Sequence, residues 1–227
     1  MTGTPSPAPS RLPVPDRQVR AVVFDCDGTL MDTHPCVDHA LRALFAARDR
    51  PYDPSVYARV TGLARSDQAA LLGDLWGESA GAVADELLTA LVGAVPLVAR
   101  PLPGALELLR ATAARLPVAI ASNSDRALLQ VTLSHGGMEG LAHVSVAADE
   151  VASPKPAPDL YLAACAALDV SPEDALAVED SLPGVRAALA AGLPVLGVGP
   201  GVPAEQVHWW VQDLTRTRLA PAPITVR

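Results

Sequence analysis

Short apolar runs recur along this chain and are hard to accommodate in anything but a layered α/β fold. They are Val19 to Phe24, Val118 to Ala121, Val144 to Ala147, Ala175 to Val178 and Val195 to Val198. The first lacks the in/out alternation of a half-solvated strand and reads as a strand covered on both faces, as in parallel sheets. From Gly104 onward the runs alternate with helical patterns. Gly104 to Arg115 places Leu106, Leu109 and Leu116 on one stripe, and Arg126 to His135 stops at Gly136-Gly137. Pro158 to Leu168 follows, then Pro183 to Ala191, which ends at Gly192. Strands alternating with helices imply βαβ units and a parallel sheet.

The region from Thr33 to about Ala99 has a different character. His39 to Ala47, Ser66 to Trp76 and Gly81 to Val95 carry helix-like spacing of Ala, Leu and Val, with no strand between them. Asp53-Pro54 and Pro96 read as breakers. The expected division is therefore a core of residues 18–32 and 100–214, with a helical insertion at 33–99. Five prolines between Pro5 and Pro15 mark residues 1–17 as a disordered tail. Residues 215–227 read as a C-terminal tail that frays, with Trp209-Trp210 packed at the core edge. The uncharged stretch Ala187 to Ala204 is interrupted by Gly192, Pro194, Gly197, Gly199, Pro200 and Gly201, so it reads as helix end, strand and loop rather than a membrane span.

A chain of 227 residues suits one α/β domain with an insertion and needs no metal or disulfide staple to hold its core. The net charge of −8 argues against nucleic acid, whose phosphates require basic stripes. Cys26, Cys36 and Cys165 show neither CxxC nor Cys/His ligand spacing. Their odd number, with no secretory leader, points to a reducing cytoplasm.

Polar groups gather where the strands end. Asp25 and Asp27 follow Val22-Val23-Phe24 at i, i+2, a spacing that aims both side chains to one side in extended backbone. Gly28 then lets the chain turn close to a bound group. Ser122-Asn123-Ser124 follows the second run just before a helix, where hydroxyls and free N–H groups can bind an anion or simply cap. Lys155 lies in Ser153-Pro154-Lys155-Pro156, one cation in a loop stiffened from both sides and in a chain with few lysines. Glu179-Asp180 closes the fourth run. In an open parallel sheet, ligands sit beyond the carboxyl ends of the strands. Carboxylates, hydroxyls and one lysine meeting there have the composition for Mg2+ and phosphate.

These four stretches, in this order, resemble the four motifs of the haloacid dehalogenase superfamily: Asp25-Cys26-Asp27-Gly28-Thr29-Leu30, Ser122-Asn123-Ser124, Ser153-Pro154-Lys155-Pro156 and Glu179-Asp180-Ser181-Leu182-Pro183-Gly184. The similarity runs from about Arg20 to Gly199. The insertion resembles the small helical cap of phosphoglycolate phosphatases and β-phosphoglucomutases.

The resemblance implies a Rossmann-like core and Mg2+-dependent phosphoryl transfer from a small phosphorylated metabolite. It makes Asp25 the nucleophile and Asp27 the acid and base. Ser122, Lys155 and the Asn123 main chain would bind the transferring phosphoryl group. Asp25, the Asp27 carbonyl, Asp180 and Glu179 would form or adjoin the metal shell, and Lys155–Pro156 is a candidate cis peptide. Gly62 and Arg65 are the cap positions expected to meet substrate.

Asp27 favours phosphoryl chemistry over dehalogenation, since the dehalogenases lack a second aspartate. Thr61-Gly62, where the mutases usually carry Lys-Gly, and Val37, where they carry histidine, favour a phosphatase over a β-phosphoglucomutase-like mutase. A phospho-accepting signalling module fits the Ser122 and Glu179-Asp180 motifs poorly, and a catalytically idle binding protein has no support. The expected assembly is a monomer or weak dimer with no membrane partner. Hinge motion near Asp32 and Arg100 is expected for a cap that opens.

Overall fold

The computed structural model describes Leu12, residues 18–61 and residues 63–219. The proline-rich segment 1–17, apart from Leu12, lies outside the described residues, as do Gly62 and residues 220–227.

Six strands form one parallel sheet: β1 (Ala21–Phe24), β4 (Val118–Ala121), β5 (Val144–Val146), β6 (Ala175–Glu179), β7 (Val195–Val198) and β8 (Trp209–Val211). Their order is β5-β4-β1-β6-β7-β8, so the chain builds outward from β1 to β5 and then returns to add β6 on the other side of β1. The central strand is aligned with both neighbours, Phe24 pairing with Ile120 and with Val178. That register brings the ends of β1, β4 and β6 to one level, at the crevice where open parallel sheets bind ligands.

The helices of this core are α5 (Ala105–Ala113), α6 (Arg126–His135), α7 (Asp159–Ala167) and α8 (Leu182–Ala191). The two sheet faces differ in side-chain size. Val22, Phe24, Ile120, Leu176 and Val178 face one layer with Leu109 of α5 and Leu129 of α6. Ala21, Val23, Ala119, Ala121, Ala175 and Ala177 face the other with Tyr161 of α7 and Val185 of α8. Alternate residues of a strand point to opposite faces, so this division is written in the sequence. Small alanines on the second face leave room for the Tyr161 ring beneath the strand ends.

Between β2 (Met31–Asp32) and β3 (Arg100–Pro101) lie four helices: α1 (His34–Ala47), α2 (Pro54–Val60), α3 (Arg65–Trp76) and α4 (Ala80–Val98). The two short strands pair antiparallel, Asp32 with Arg100, and form the neck through which the chain enters and leaves the helical unit. Asp53-Pro54 does mark a boundary. Pro54 opens α2, and the Asp53 carboxylate accepts from the Ser55 N–H at 2.9 Å.

Pro96 does not break the helix expected to end there. It sits exposed in the last turn of α4, which continues to Val98. A proline this close to a helix end removes one N–H···O bond near solvent and is tolerated. α4 is also the one described helix long and apolar enough to cross a membrane by composition, with a mean hydropathy of 1.6. Its buried face of Val83, Leu87, Leu91, Ala94 and Val95 packs on α1, α3 and α6.

The expected fraying of the chain end does not begin at residue 215. Thr217 is 1% and Leu219 8% exposed. The backbone of Leu214 and Thr215 passes so close to Gly104 that a Cβ there would lie 2.6 Å from it. A glycine with φ +80° serves this close approach of two backbones.

Candidate active site

Asp25 is the first residue beyond β1. Its N–H still donates to Val178 O at 2.9 Å, so the carboxylate is held in register with the sheet. Its Oδ1 accepts from Lys155 Nζ at 2.6 Å. Its Oδ2 is buried and has no hydrogen-bond partner. Gly28, two residues after the turn begins, has φ +95°. A Cβ built on it would fall 2.1 Å from Asp180 Oδ2, so glycine is what allows the first motif and the fourth to touch.

Lys155, the chain's one lysine, is 6% exposed. Besides Asp25 it donates to Glu179 Oε1 at 2.7 Å and to Ala121 O at 2.8 Å, so its three N–H groups are all used. The loop that carries it has the Lys155–Pro156 peptide in cis. Asn123 clamps that loop reciprocally: its Nδ2 donates to Lys155 O at 3.1 Å and its Oδ1 accepts from Lys155 N at 2.9 Å. The Asn123 side chain thus positions the lysine, which leaves its main chain as the part able to meet a ligand.

Glu179 is fully buried and surrounded by donors. Oε1 accepts from Lys155 and, at 2.8 Å, from the Tyr161 hydroxyl. Oε2 accepts from Asp180 N, Ser181 N and Ser181 Oγ at 3.1–3.3 Å. Its lone pairs are spent on orienting Lys155 and on the start of α8. A Cβ on Gly184 would lie 1.8 Å from Glu179 Oε1, so the helix start is fitted around this carboxylate.

Asp27 points to the hydroxyls. Oδ1 accepts from Thr33 Oγ1 at 2.9 Å, and Oδ2 accepts from Ser122 Oγ at 2.7 Å and Ser124 Oγ at 3.0 Å. The i, i+2 spacing of Asp25 and Asp27 therefore delivers both carboxylates to one pocket but to different partners. Arg65 begins α3 and reaches across to the core. It donates to Asp125 Oδ2, and to Ala84 O at 3.1 Å. Asp125 thus does not cap α6 with its side chain. The Arg126 N–H at that helix start is taken instead by Asp149, at 2.8 Å.

Ligand atoms of Asp25, Glu179 and Asp180 lie within 4.8 Å of one another. With all three ionised and one lysine among them, this largely buried cluster carries a net −2, which favours protonation or a cation. Burial, more than the neighbouring carboxylates, pushes Asp25 well above the ordinary carboxylate range, and Lys155 offsets part of that. Burial and then the Glu179 charge push Asp180 up to about 7. Burial alone would lower Lys155, but the charges of Asp25 and Glu179 outweigh it and raise its pKa.

A bare buried oxygen on Asp25, a neighbouring Asp180 and donors that are all hard oxygens fit a divalent cation such as Mg2+. Asp180's folded pKa lies above its unfolded value. The metal-free fold thus holds its extra stability at low pH and loses it as pH rises from the ordinary carboxylate range to about 7. A Mg2+ ion held here would need the ionised form, and its signature would be a melting-temperature gain from added Mg2+ that is larger at pH 8 than at pH 6. Apparent affinity should drop about tenfold per unit below 7 for each proton displaced. A Mg2+ shift independent of pH in thermal unfolding would contradict this.

The structure brings Asp25, Asp27, Ser122, Asn123, Lys155, Glu179 and Asp180 together at one sheet edge. Arg65 reaches the rim of the same cavity, and Gly62 lies outside the described residues. Sequence reasoning did not single out Thr33, Tyr161 or Thr29, whose hydroxyl donates to Asp180 Oδ1 at 3.3 Å. Tyr161 offers no local sign of its role, since it is one more apolar position on a core helix.

Residues 19–192 match the family model described as haloacid dehalogenase-like hydrolase. A bifunctional riboflavin kinase/FMN phosphatase of Arabidopsis thaliana is 34% identical over 192 residues, covering 82% of this chain but 50% of that protein, so the chain spans half the length of this relative. Validoxylamine A 7'-phosphate phosphatase of Streptomyces hygroscopicus subsp. limoneus is 31% identical over 207 residues, 88% of this chain and 96% of that one. Among solved structures, CbbY from Rhodobacter sphaeroides in complex with phosphate superposes with a TM-score of 0.76 at 25% identity, over 87% of this chain and 95% of that one.

Proposed function

Because the chain belongs to the haloacid dehalogenase-like hydrolases, we propose that it is a Mg2+-dependent phosphatase of small phosphate monoesters, sugar phosphates foremost, working through an aspartyl-phosphate. The observation that carries this reading is the state of Asp25. Its buried carboxylate is gripped by Lys155 on one oxygen and bare on the other, at the end of the central strand.

An Asp25 oxygen attacks phosphorus, the new O–P bond forms, and the ester P–O bond breaks. Asp27 gives its proton to the departing alcohol oxygen. A water then attacks the aspartyl-phosphate, Asp27 takes its proton, and inorganic phosphate leaves with Asp25 restored. The hydroxyls of Thr33, Ser122 and Ser124 now donate to Asp27. Hydroxyl hydrogens rotate, so one of these groups can turn to accept from a protonated Asp27 before its proton passes to the departing oxygen, and all three can donate to its carboxylate afterwards. Lys155 offsets the repulsion between an anionic nucleophile and an anionic ester and stabilises charge on the equatorial oxygens. Asn123, Glu179 and Tyr161 keep it there.

Asp25 and Asp180, with the Asp27 carbonyl, would hold Mg2+, and Glu179 backs this shell rather than entering it. The cation would supply further neutralisation of the phosphoryl oxygens. Three buried free cysteines suit a reducing cytoplasm.

The purified protein with Mg2+ is expected to release phosphate steadily from p-nitrophenyl phosphate, and EDTA should stop it. No release from this ester or from a panel of sugar phosphates, at any Mg2+ concentration, would overturn the reading.

A further inference from the structure

The cavity above Asp25 measures about 450 Å3 and continues between α1, α4 and α6. Its floor holds Asp25, Asp27, Lys155 and Asp180, while Val37, Leu91 and Val95 of the inserted helices and Leu128 of α6 line the rest. Among the described residues, Arg65 is the one arginine or lysine lining this cavity besides Lys155. Its charge is already met by Asp125, and a further N–H goes to the Ala84 carbonyl. A second polar residue of this wall has an unmatched hydroxyl. Thr132 is among the residues that line the cavity, is 1% exposed, and its buried Oγ1 has no hydrogen-bond partner.

We propose that this wall selects phosphate esters whose leaving group is uncharged and partly apolar, and that Asp125 sets the selection by occupying Arg65. The inference rests on the phosphatase reading and narrows it. A leaving group with a second phosphate would have to displace a carboxylate from Arg65 and then lie beside it, and like charges brought together out of water repel strongly. An uncharged alcohol meets no such penalty. Its apolar face covers Val37, Leu91, Val95 and Leu128. The same wall disfavours a phosphosugar mutase. An enzyme that moves a phosphoryl group between two hydroxyls of one sugar must hold a phosphate at the position that is not reacting, and among the described residues no arginine or lysine besides the paired Arg65 lines this side for it.

The test compares matched esters that differ by one phosphate: phenyl phosphate against 1,4-phenylene bisphosphate, and glucose 1-phosphate against glucose 1,6-bisphosphate. For the pair turned over faster, the protein should favour the monophosphate by at least about tenfold in kcat/KM. Asp125→Asn should narrow that ratio about tenfold, mainly through a lower KM for the bisphosphate, and adding Arg65→Met should cancel the gain. Asp125→Ser serves in its place if Asp125→Asn does not fold. An equal rate on both esters, or a ratio unmoved by either Asp125 variant, overturns the proposal.

Calorimetric binding of the same esters to Asp25→Asn protein, with and without the Asp125 substitution, separates this inference from the one beneath it. If the unsubstituted protein hydrolyses none of these esters, a binding preference that shifts with Asp125 supports the pocket assignment and removes the phosphatase. Absence of both hydrolysis and preference removes both.

Discussion

Asp25→Asn is expected to lower turnover of p-nitrophenyl phosphate by roughly 10^4-fold or more, the scale on which removal of a covalent nucleophile acts. The amide has nearly the volume of the carboxylate, so the fold should survive. Burial raises Asp25 and disfavours its ionised form, so the uncharged side chain should leave the metal-free protein at least as resistant to heat at pH 8 as the original. Loss of rate with retained thermal unfolding would thus separate a chemical role from a structural one. Wild-type turnover in the variant would remove Asp25 as nucleophile.

Lys155→Met should cost both activity and stability. The lysine side chain is 3% exposed and lies between Asp25 and Glu179, at 8% and 0%. Taking one member from a buried ionic cluster leaves unpaired charge and typically costs about 3–5 kcal/mol. The sign of the pH dependence follows from the carboxylates. With folded pKa already raised at Asp25 and raised further without the lysine, the variant keeps its stability where the acids are protonated. It loses that stability as pH rises. Urea midpoints should therefore differ more between wild type and variant at pH 8 than at pH 5. Adding Glu179→Gln should restore part of the stability and none of the turnover. A gap that is the same at both pH values would mean that lost packing, and not unpaired charge, is responsible.

Much of the fold was legible because it rests on local rules. The β1, β4, β6 and β7 runs are short and apolar, and their buried alternation separates Val22 and Phe24 from Ala21 and Val23. The four reactive stretches were legible for a related reason: each combines unusual residue types at the end of a strand. What a local rule could not deliver was direction. Pro96 reads as a helix breaker until its place in the last exposed turn of α4 is seen. Residues 215–219 read as a loose end until the backbone crosses Gly104.

The amino-acid sequence by itself determined a parallel α/β core, a helical insertion and a set of carboxylates, hydroxyls and one lysine at the strand ends. Periodicity, glycine and proline act over a few residues and are readable there. The tertiary structure alone decided how the set divides its labour. It assigned Glu179 to Lys155 and Tyr161, left one oxygen of Asp25 bare, turned Asp27 to Thr33, Ser122 and Ser124, and gave Arg65 to Asp125. Arg65 and Asp125, 60 residues apart in the chain, and Asp25 and Lys155, 130 apart, meet only because sheet register and cap placement carry them there. A hydrogen bond depends on that final separation in space, which no spacing along the chain encodes.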